Sequence, residues 1–141
     1  FRLAFKNCPP EVDGFLRTGD QGHKNDDGYL VLTGRIKELI NRSGEKISPL
    51  ELDNALLALP YVKEAVSFGV PDEMYGELVG AVVVLQGDAP ADVSQERIQA
   101  DLSKSLAKFK IPVRVWITDN IPKTYVSYPL TTALRAKFNA E

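Results

Sequence analysis

Apolar and polar positions alternate along several stretches of the chain in the two-residue period of β-strands. Val66, Phe68 and Val70 follow this pattern and predict one strand. The continuous apolar run at residues 79–85 predicts a central strand that is buried on both faces. A further strand is predicted at residues 113–118, after Pro112.

Shorter extended runs come earlier in the chain. Residues 18–23 and 29–33 flank a turn at residues 25–28, which predicts a β-hairpin. Another short strand is predicted at residues 38–41, before a glycine loop at residues 42–45.

Helical spacing of apolar residues predicts three helices. The first begins at Ser48, where serine can cap the helix and Glu51 completes a capping box, and it stops at Pro60. The second covers residues 94 to about 108, and the third covers residues 129–138. Their expected buried faces are Leu52, Ala55, Leu56 and Leu59, then Ile98, Leu102, Leu106 and Phe109, then Leu130, Leu134 and Phe138.

The mixed order of these elements predicts an α+β fold, a small mixed sheet covered by helices and preceded by the β-hairpin. The length of 141 residues fits one ordinary domain. Net charge is −2 and the basic residues are interspersed with acidic ones, so no footprint for nucleic acid is present. No apolar run approaches the roughly 18 residues of a membrane span.

Cysteine and histidine are almost absent, which excludes several kinds of site. Cys8 and His23 are the single residues of their types, so disulfide frameworks, zinc clusters and Cys-His or Ser-His catalysis are not expected. An intracellular location, peroxisomal or cytoplasmic, is expected, although the C-terminus does not match the Ser-Lys-Leu address. The opening residues are expected to start in the middle of a longer protein.

Four motifs carry the candidate chemistry: RTGD at residues 17–20, GRIKELI at 34–40, GEKISPLELD at 44–53 and KFKIP at 108–112. Asp20 offers a carboxylate on a turn, where it can accept hydrogen bonds from both hydroxyls of a ribose. The alternative is a turn aspartate that caps nearby backbone. Gly44 permits backbone to lie close to a ligand, and the alternative is a tight turn without a ligand.

Together the motifs resemble the adenylate-forming superfamily of acyl-CoA synthetases, luciferases and peptide-synthetase adenylation domains. The segments VSFGVPDEMYGE and RVWITDNIPKT are most similar to peroxisomal-type acid:CoA ligases of fungi and plants, including oxalyl-CoA synthetases. The resemblance implies that residues 1–36 close the N-terminal AMP-binding domain. Residues 37–141 are then the mobile C-terminal domain.

The resemblance also implies roles for individual residues. Asp20 and Arg35 would contact the ribose or phosphate of the nucleotide. Lys37 would be the hinge about which the C-terminal domain swings, and a solvated lysine is the alternative. The turn formed by Ser43, Gly44, Glu45 and Lys46 would line the passage for the pantetheine arm of coenzyme A. Lys46 and Arg42 could meet the phosphates of coenzyme A, or each is a plain surface cation.

The implied parent reaction converts a carboxylate and ATP into an acyl-AMP, which the thiol of coenzyme A then attacks. The expected cofactors are ATP or AMP, coenzyme A, and Mg²⁺ bound mainly through the N-terminal adenylation domain. That domain and a small carboxylic acid are the expected partners. The chain contains no Gly-rich phosphate loop, so we expect no turnover by it alone.

The chain departs from the family pattern at one catalytic position. The family places Gly-Lys after its Pro-Lys-Thr motif, and here Ser127 and Tyr128 fill those places. A phenol with a reference pKa near 10 is neutral at pH 7 and supplies no cation for adenylation. Lys123 and Lys137 are displaced along the chain by five and nine positions. The second interpretation is therefore a non-catalytic binding or regulatory module derived from the same fold.

Overall fold

The computed structural model describes residues 18–122 and 131–138. No described helix combines the length and the apolar character that a membrane crossing requires. Two short 3-10 helices lie at Ile36–Glu38 and Lys108–Lys110. The other elements of the described chain are β1 (Asp20–Lys24), β2 (Leu30–Arg35), β3 (Ile40–Arg42), β4 (Glu45–Ile47), α1 (Pro49–Leu57), β5 (Val62–Asp72), β6 (Gly76–Leu85), α2 (Gln95–Leu102), β7 (Arg114–Ile117) and α3 (Thr131–Phe138).

The strands form two separate sheets. β1 and β2 pair with each other as an antiparallel hairpin. The other five strands form one sheet in the order β4-β3-β6-β5, with β7 also paired to β6. β5 runs antiparallel along one edge of β6. The other edge pairs with β3 at Gly76 and, in parallel, with β7 at residues 80–83. This mixed sheet confirms the predicted α+β fold.

β6 is buried on both faces, which explains its uninterrupted apolar sequence. Ala81 and Val83 face a cluster that contains residues of α1 and α2. Val82 and Val84 belong to a second cluster, which includes Leu134 of α3. Since neighbouring residues of a strand point to opposite faces, the sheet lies between α1 and α2 on one side and α3 on the other. The predicted central strand is confirmed.

A third, smaller cluster joins the β3–β4 hairpin to the first helix. Ile40 and Ile47, which are paired across the hairpin, pack with Leu52 of α1 and Val79 of β6. All four side chains are buried. The base of the glycine loop is therefore fixed in the core, while its tip is exposed.

The predicted capping box is wrong, although α1 begins where expected. Ser48 is the N-cap residue but makes no side-chain cap. Its hydroxyl donates instead to the carbonyl oxygen of Thr33 in the hairpin. Glu51 is also engaged elsewhere, because the Lys110 ammonium lies 2.6 and 2.8 Å from its two carboxylate oxygens. Tertiary partners thus replace the local cap.

The second helix is shorter than predicted. α2 ends at Leu102, and the hydroxyl of Ser103 donates to the carbonyl of Ala100 just past its end. Serine competes for backbone hydrogen bonds in this way and disfavours helix continuation. Phe109 was expected on the buried face, but it lies in a 3-10 helix and is 36% exposed. The sequence pattern also missed β4 and placed β3 two residues early.

Candidate functional site

The two residues predicted to contact a nucleotide lie side by side. Asp20 opens β1, Arg35 closes β2, and the antiparallel register pairs them directly. Arg35 Nε lies 3.3 Å from Asp20 Oδ1. The backbone N–H of Asp20 donates to the Thr18 hydroxyl at 3.2 Å, so Thr18 helps to fix the turn. Both side chains reach solvent, where a carboxylate and a guanidinium together can bind hydroxyls and phosphate.

The predicted hinge residue, Lys37, lies in the 3-10 helix that follows β2. Its side chain is exposed. The sequence prediction placed it at the approach to a strand, but the strand begins only at Ile40. Lys37 therefore sits in the short connection between the two sheets.

The predicted coenzyme A loop is a tight hairpin turn. Arg42 pairs with Glu45, which leaves Ser43 and Gly44 as the two turn residues. Their φ angles are +50° and +94°, as a type I′ turn requires. Ser43, Gly44, Glu45 and Lys46 are all exposed. A Cβ added at Gly44 would meet nothing within 4 Å, so a ligand can approach this backbone.

A second segment, which the sequence pattern did not predict, contacts this turn. The N–H of Ser43 donates to the carbonyl oxygen of Tyr75 at 2.8 Å. The Arg42 guanidinium lies over the Tyr75 ring, 4.3 Å from its centroid. One residue earlier, the N–H of Asn41 donates to Glu77 Oε2 at 2.8 Å. The possible contact of Arg42 with a phosphate of coenzyme A stays a prediction from the sequence.

The position of the altered catalytic lysine lies outside the described residues. Ser127, Tyr128 and Lys123 all fall between the two described segments. Their predicted roles therefore stay predictions from the sequence. Lys137, the other candidate cation, lies in α3 and is exposed.

Comparison with known proteins identifies the family. Residues 51–126, more than half of the chain, match the family described as AMP-binding enzyme C-terminal domain. The chain belongs to this family. The assignment confirms the predicted resemblance to the adenylate-forming superfamily.

Two similar proteins are oxalate–CoA ligases. The chain is 54% identical over 112 residues to that of Saccharomyces cerevisiae, which covers 79% of this chain and 20% of the relative. It is 55% identical over 111 residues to the oxalate–CoA ligase of Arabidopsis thaliana, and this match covers 79% of this chain and 21% of the relative. Among solved structures, ATP-bound MatB from Rhodopseudomonas palustris gives a TM-score of 0.83 at 33% identity, covering 92% of this chain and 25% of that one. A Mycobacterium tuberculosis fatty acyl CoA synthetase gives 0.75 at 34% identity, with the same coverage.

This AMP-binding enzyme C-terminal domain thus spans about a fifth to a quarter of the length of the relatives named above. Its sequence matches the C-terminal part of acid:CoA ligases, as the motifs predicted. The likeness to solved structures also agrees with the predicted fold.

An open pocket of the domain lies away from the predicted site. It has a volume of about 540 Å³, and its lining includes Tyr61 and Arg97. The carbonyl oxygen of Tyr61 accepts the N–H of Gln86, which lies just past the end of β6. The Ser43–Gly44 turn, in contrast, lies beside Gly76 at the start of that strand. Ten strand residues separate the two ends by about 30 Å. The pocket therefore takes no part in the predicted site.

Both cations of this pocket, Arg97 and Lys104, are paired with carboxylates. The Tyr61 hydroxyl donates to Asp101 at 2.7 Å, and burial together with this bond raises the pKa of Tyr61 to about 12. Lys104 lies 2.6 Å from Asp101, and Arg97 lies 2.5 Å from Asp92. Because both cations have carboxylate partners, the pocket presents no unpaired cation for an anionic ligand.

Asp53 is an acidic residue of the domain that the sequence analysis passed over. It lies on α1 between the buried residues Leu52 and Leu56, and its Oδ1 accepts the N–H of Ser67 at 2.6 Å. Burial raises the pKa of Asp53 to about 7, although the bond from Ser67 acts in the opposite direction. The buried Ser67 hydroxyl makes no hydrogen bond of acceptable geometry within the described chain.

The raised pKa of Asp53 predicts a pH-dependent stability. Between about pH 4 and 7 the folded state keeps a proton that the unfolded state has lost, so stability falls as the pH rises. Above pH 7 both states are ionised and the penalty is constant. Asp53→Asn removes the charge and keeps an acceptor for Ser67. We expect the variant to be more stable than the unsubstituted chain at pH 8, by about 1–4 kcal/mol, and similar to it at pH 4.

Urea unfolding at pH 4, 6 and 8 measures this difference. Asp27→Asn, at an exposed turn position, is the matched control and should follow the unsubstituted chain at every pH. A constant difference between Asp53→Asn and the unsubstituted chain across this range would contradict the assignment.

Proposed function

We propose that this domain is the mobile C-terminal lid of an ATP-dependent acid:CoA ligase. The observation that carries the proposal is the 54–55% identity, over 79% of the chain, to two oxalate–CoA ligases. Family membership implies that the full-length enzyme uses ATP and coenzyme A. In that enzyme a carboxylate attacks the α-phosphate of ATP, which forms an acyl-AMP and releases pyrophosphate. The thiol of coenzyme A then attacks the acyl carbon and displaces AMP, which gives the thioester.

In this proposal Asp20 and Arg35 hold the nucleotide. The Asp20 carboxylate would accept hydrogen bonds from the two ribose hydroxyls. The Arg35 guanidinium would donate hydrogen bonds to ribose or phosphate oxygens. Their adjacency supports the assignment, because one ligand can reach both groups. The ion pair between them holds the carboxylate in place before a nucleotide arrives.

The turn of Ser43, Gly44, Glu45 and Lys46 would line the passage for coenzyme A. Its open backbone at Gly44 supports this role, since a narrow pantetheine arm needs close approach to the main chain. Lys46 is exposed and would meet a phosphate of coenzyme A. As the family resemblance implies, the domain would present this face for thioester formation and another face for adenylation.

We further propose that the chain divides at the hinge, with residues 1–36 in the AMP-binding body and residues 37–141 in the lid. Two features of the hairpin support the division. Its sheet is separate from the five-stranded sheet of the lid. It also exposes Tyr29, Leu30 and Leu32 at 73%, 72% and 56%, an apolar surface that suits packing against a larger body.

Mg²⁺ would bind with ATP through the body. Within the described part of this chain, no three acidic, histidine or cysteine side chains cluster to hold a metal ion. The body would also select the acid, and oxalate is the first acid to test because the relatives above act on it by name. We place the ligase inside the cell, in peroxisomes or cytoplasm.

A second candidate function is a non-catalytic binding or regulatory module. Tyr128 in place of the usual lysine favours it, because adenylation then lacks its cation. A module of this kind would bind neither coenzyme A nor an acyl-adenylate. Calorimetric titration of the full-length protein with coenzyme A separates the two candidates.

Gly44→Ala tests the assigned role of the turn in the full-length ligase. The added methyl would enter the proposed passage and force alanine to φ near +94°, where L-residues are strained. We expect thioester formation from oxalyl-adenylate to fall about tenfold or more, with ATP–pyrophosphate exchange unchanged. Single-turnover assays of the two half-reactions measure each effect separately.

Gly28→Ala is the matched control. Gly28 has a similar φ of +88°, but it lies in the β1–β2 turn. The same backbone strain there should leave both half-reactions unchanged. Equal losses in the two variants would show that strain alone, and not a blocked passage, reduces the rate.

A further inference from the structure

We propose that Tyr75 and Glu77 are positioning residues, which hold the Ser43–Gly44 turn in the conformation that receives coenzyme A. The inference rests on the proposed function for its ligand. Its structural part, the bracing of one turn by a neighbouring segment, stands on the contacts alone. We call residues 75–77 the brace.

The turn is poorly stabilised by its own hairpin. β3 and β4 are joined by only three residue pairs, and a two-stranded hairpin of this length is marginal in isolation. Ser43 also adopts a φ of +50°, which is unfavourable for a residue with a Cβ. External contacts are needed to keep one turn conformation populated.

The brace contacts three successive residues just before and within the turn. Glu77 accepts the N–H of Asn41, the Tyr75 ring lies beneath the guanidinium of Arg42, and the Tyr75 carbonyl accepts the N–H of Ser43. β3 pairs with β6 only at Arg42 and Gly76, so these contacts extend a ladder that is otherwise one residue long. Loss of the brace would free the tip of the turn.

The brace is itself held by a tight turn. Asp72 Oδ1 accepts the N–H groups of Met74 and Tyr75 at 3.0 and 2.8 Å. Glu77 lies across the neighbouring strand, where a Cβ added at Gly69 would come 2.7 Å from its carboxyl carbon. Both positioning side chains therefore start from fixed backbone. The Met74 side chain, in contrast, is 78% exposed and offers a matched control in the same turn.

Hydrogen-exchange mass spectrometry on the full-length ligase tests the structural part. We expect the peptide that covers residues 40–47 to exchange about 3- to 10-fold faster in Tyr75→Ala, and about 10-fold faster or more in Glu77→Ala. Tyr75→Phe keeps the ring and Glu77→Gln keeps an acceptor oxygen, so both should exchange like the unsubstituted protein. Met74→Ala should also leave exchange unchanged.

Calorimetric titration of the same proteins with coenzyme A tests the consequence for the ligand. The Kd for coenzyme A should rise about 3- to 10-fold in Tyr75→Ala, while Tyr75→Phe and Met74→Ala bind normally. ATP–pyrophosphate exchange should not change in any of these variants, because adenylation is assigned to the other face. A general loss of folding would lower both activities together.

The outcomes separate this inference from the proposed function. Unchanged exchange at residues 40–47 in both alanine variants overturns the brace. Faster exchange with an unchanged Kd overturns its role in positioning coenzyme A. If the unsubstituted ligase does not bind coenzyme A, the proposed function of the turn and its ligand fall together, while the exchange data still decide whether the brace holds the turn.

Discussion

Replacing Ser127 and Tyr128 by Gly and Lys in the full-length ligase is expected to raise ATP–pyrophosphate exchange about 100- to 1,000-fold. The size follows from the typical cost of removing one donor that stabilises charge in a transition state. A tyrosine hydroxyl is neutral at pH 7 and offers no full positive charge to the phosphate. Glycine at position 127 also has wider backbone freedom than serine, next to a residue that Pro129 restricts.

Tyr125→Lys is the control for this repair. It adds the same charge in the same segment, three residues before Tyr128. It should leave exchange at the level of the unsubstituted ligase, because the ammonium group is misplaced along the chain. Full exchange activity in the unsubstituted ligase would refute the assigned defect. No recovery in the double variant would show that more than this one lysine has been lost.

Phe68→Ala is expected to reduce the free energy of unfolding by about 3–5 kcal/mol. Phe68 is completely buried in the cluster between the sheet and α3. Its ring stacks on Trp116 at a centroid distance of 5.8 Å, and Trp116 packs in turn on Phe138 at 5.0 Å. Truncation would leave a cavity beside the Trp116 ring. The free energy of unfolding of a small domain is about 5–15 kcal/mol in total, so the variant would lose a large share of its stability.

Phe109→Ala is the matched control for this truncation, since it removes the same side chain from a half-exposed 3-10 helix. We expect a loss of about 1 kcal/mol or less. Urea unfolding followed by circular dichroism is the suitable measurement, because Phe68→Ala also changes the surroundings of the single tryptophan. Equal losses in the two variants would contradict the core that the structure assigns to Phe68.

Local pattern predicted most of the described fold, because most of its elements have a buried face with a clear period. Residues 79–85 were recognisable as a central strand, and α1 begins at Pro49 as expected. The pattern failed where tertiary contacts outweigh local preference. The Ser48 hydroxyl bonds the carbonyl of Thr33 in the β1–β2 hairpin and does not cap α1. β4 has only three residues, which are too few to show the two-residue period of a strand.

The candidate site divides in the same way. The structure places Asp20 beside Arg35 and exposes the Ser43–Gly44 turn, both of which lie in motifs with recognisable spacing. Tyr75 and Glu77 were missed because they reach the turn from more than thirty residues away, and no local period records such a contact. Asp53 did leave a trace in the sequence. It lies directly after Leu52, at the border of the apolar helical face.

The chain passes from the two-stranded hairpin to the five-stranded sheet through the single 3-10 helix at Ile36–Glu38. No ladder hydrogen bond joins the two sheets within the described residues. Rotation of the backbone within this 3-10 helix would leave every strand pair intact. The hydrogen bond from Ser48 to Thr33 would be among the few contacts to break. In the proposed hinge motion the change of backbone conformation would be concentrated in these three residues. A proline in this 3-10 helix would restrict rotation of the backbone without changing the packing of either sheet.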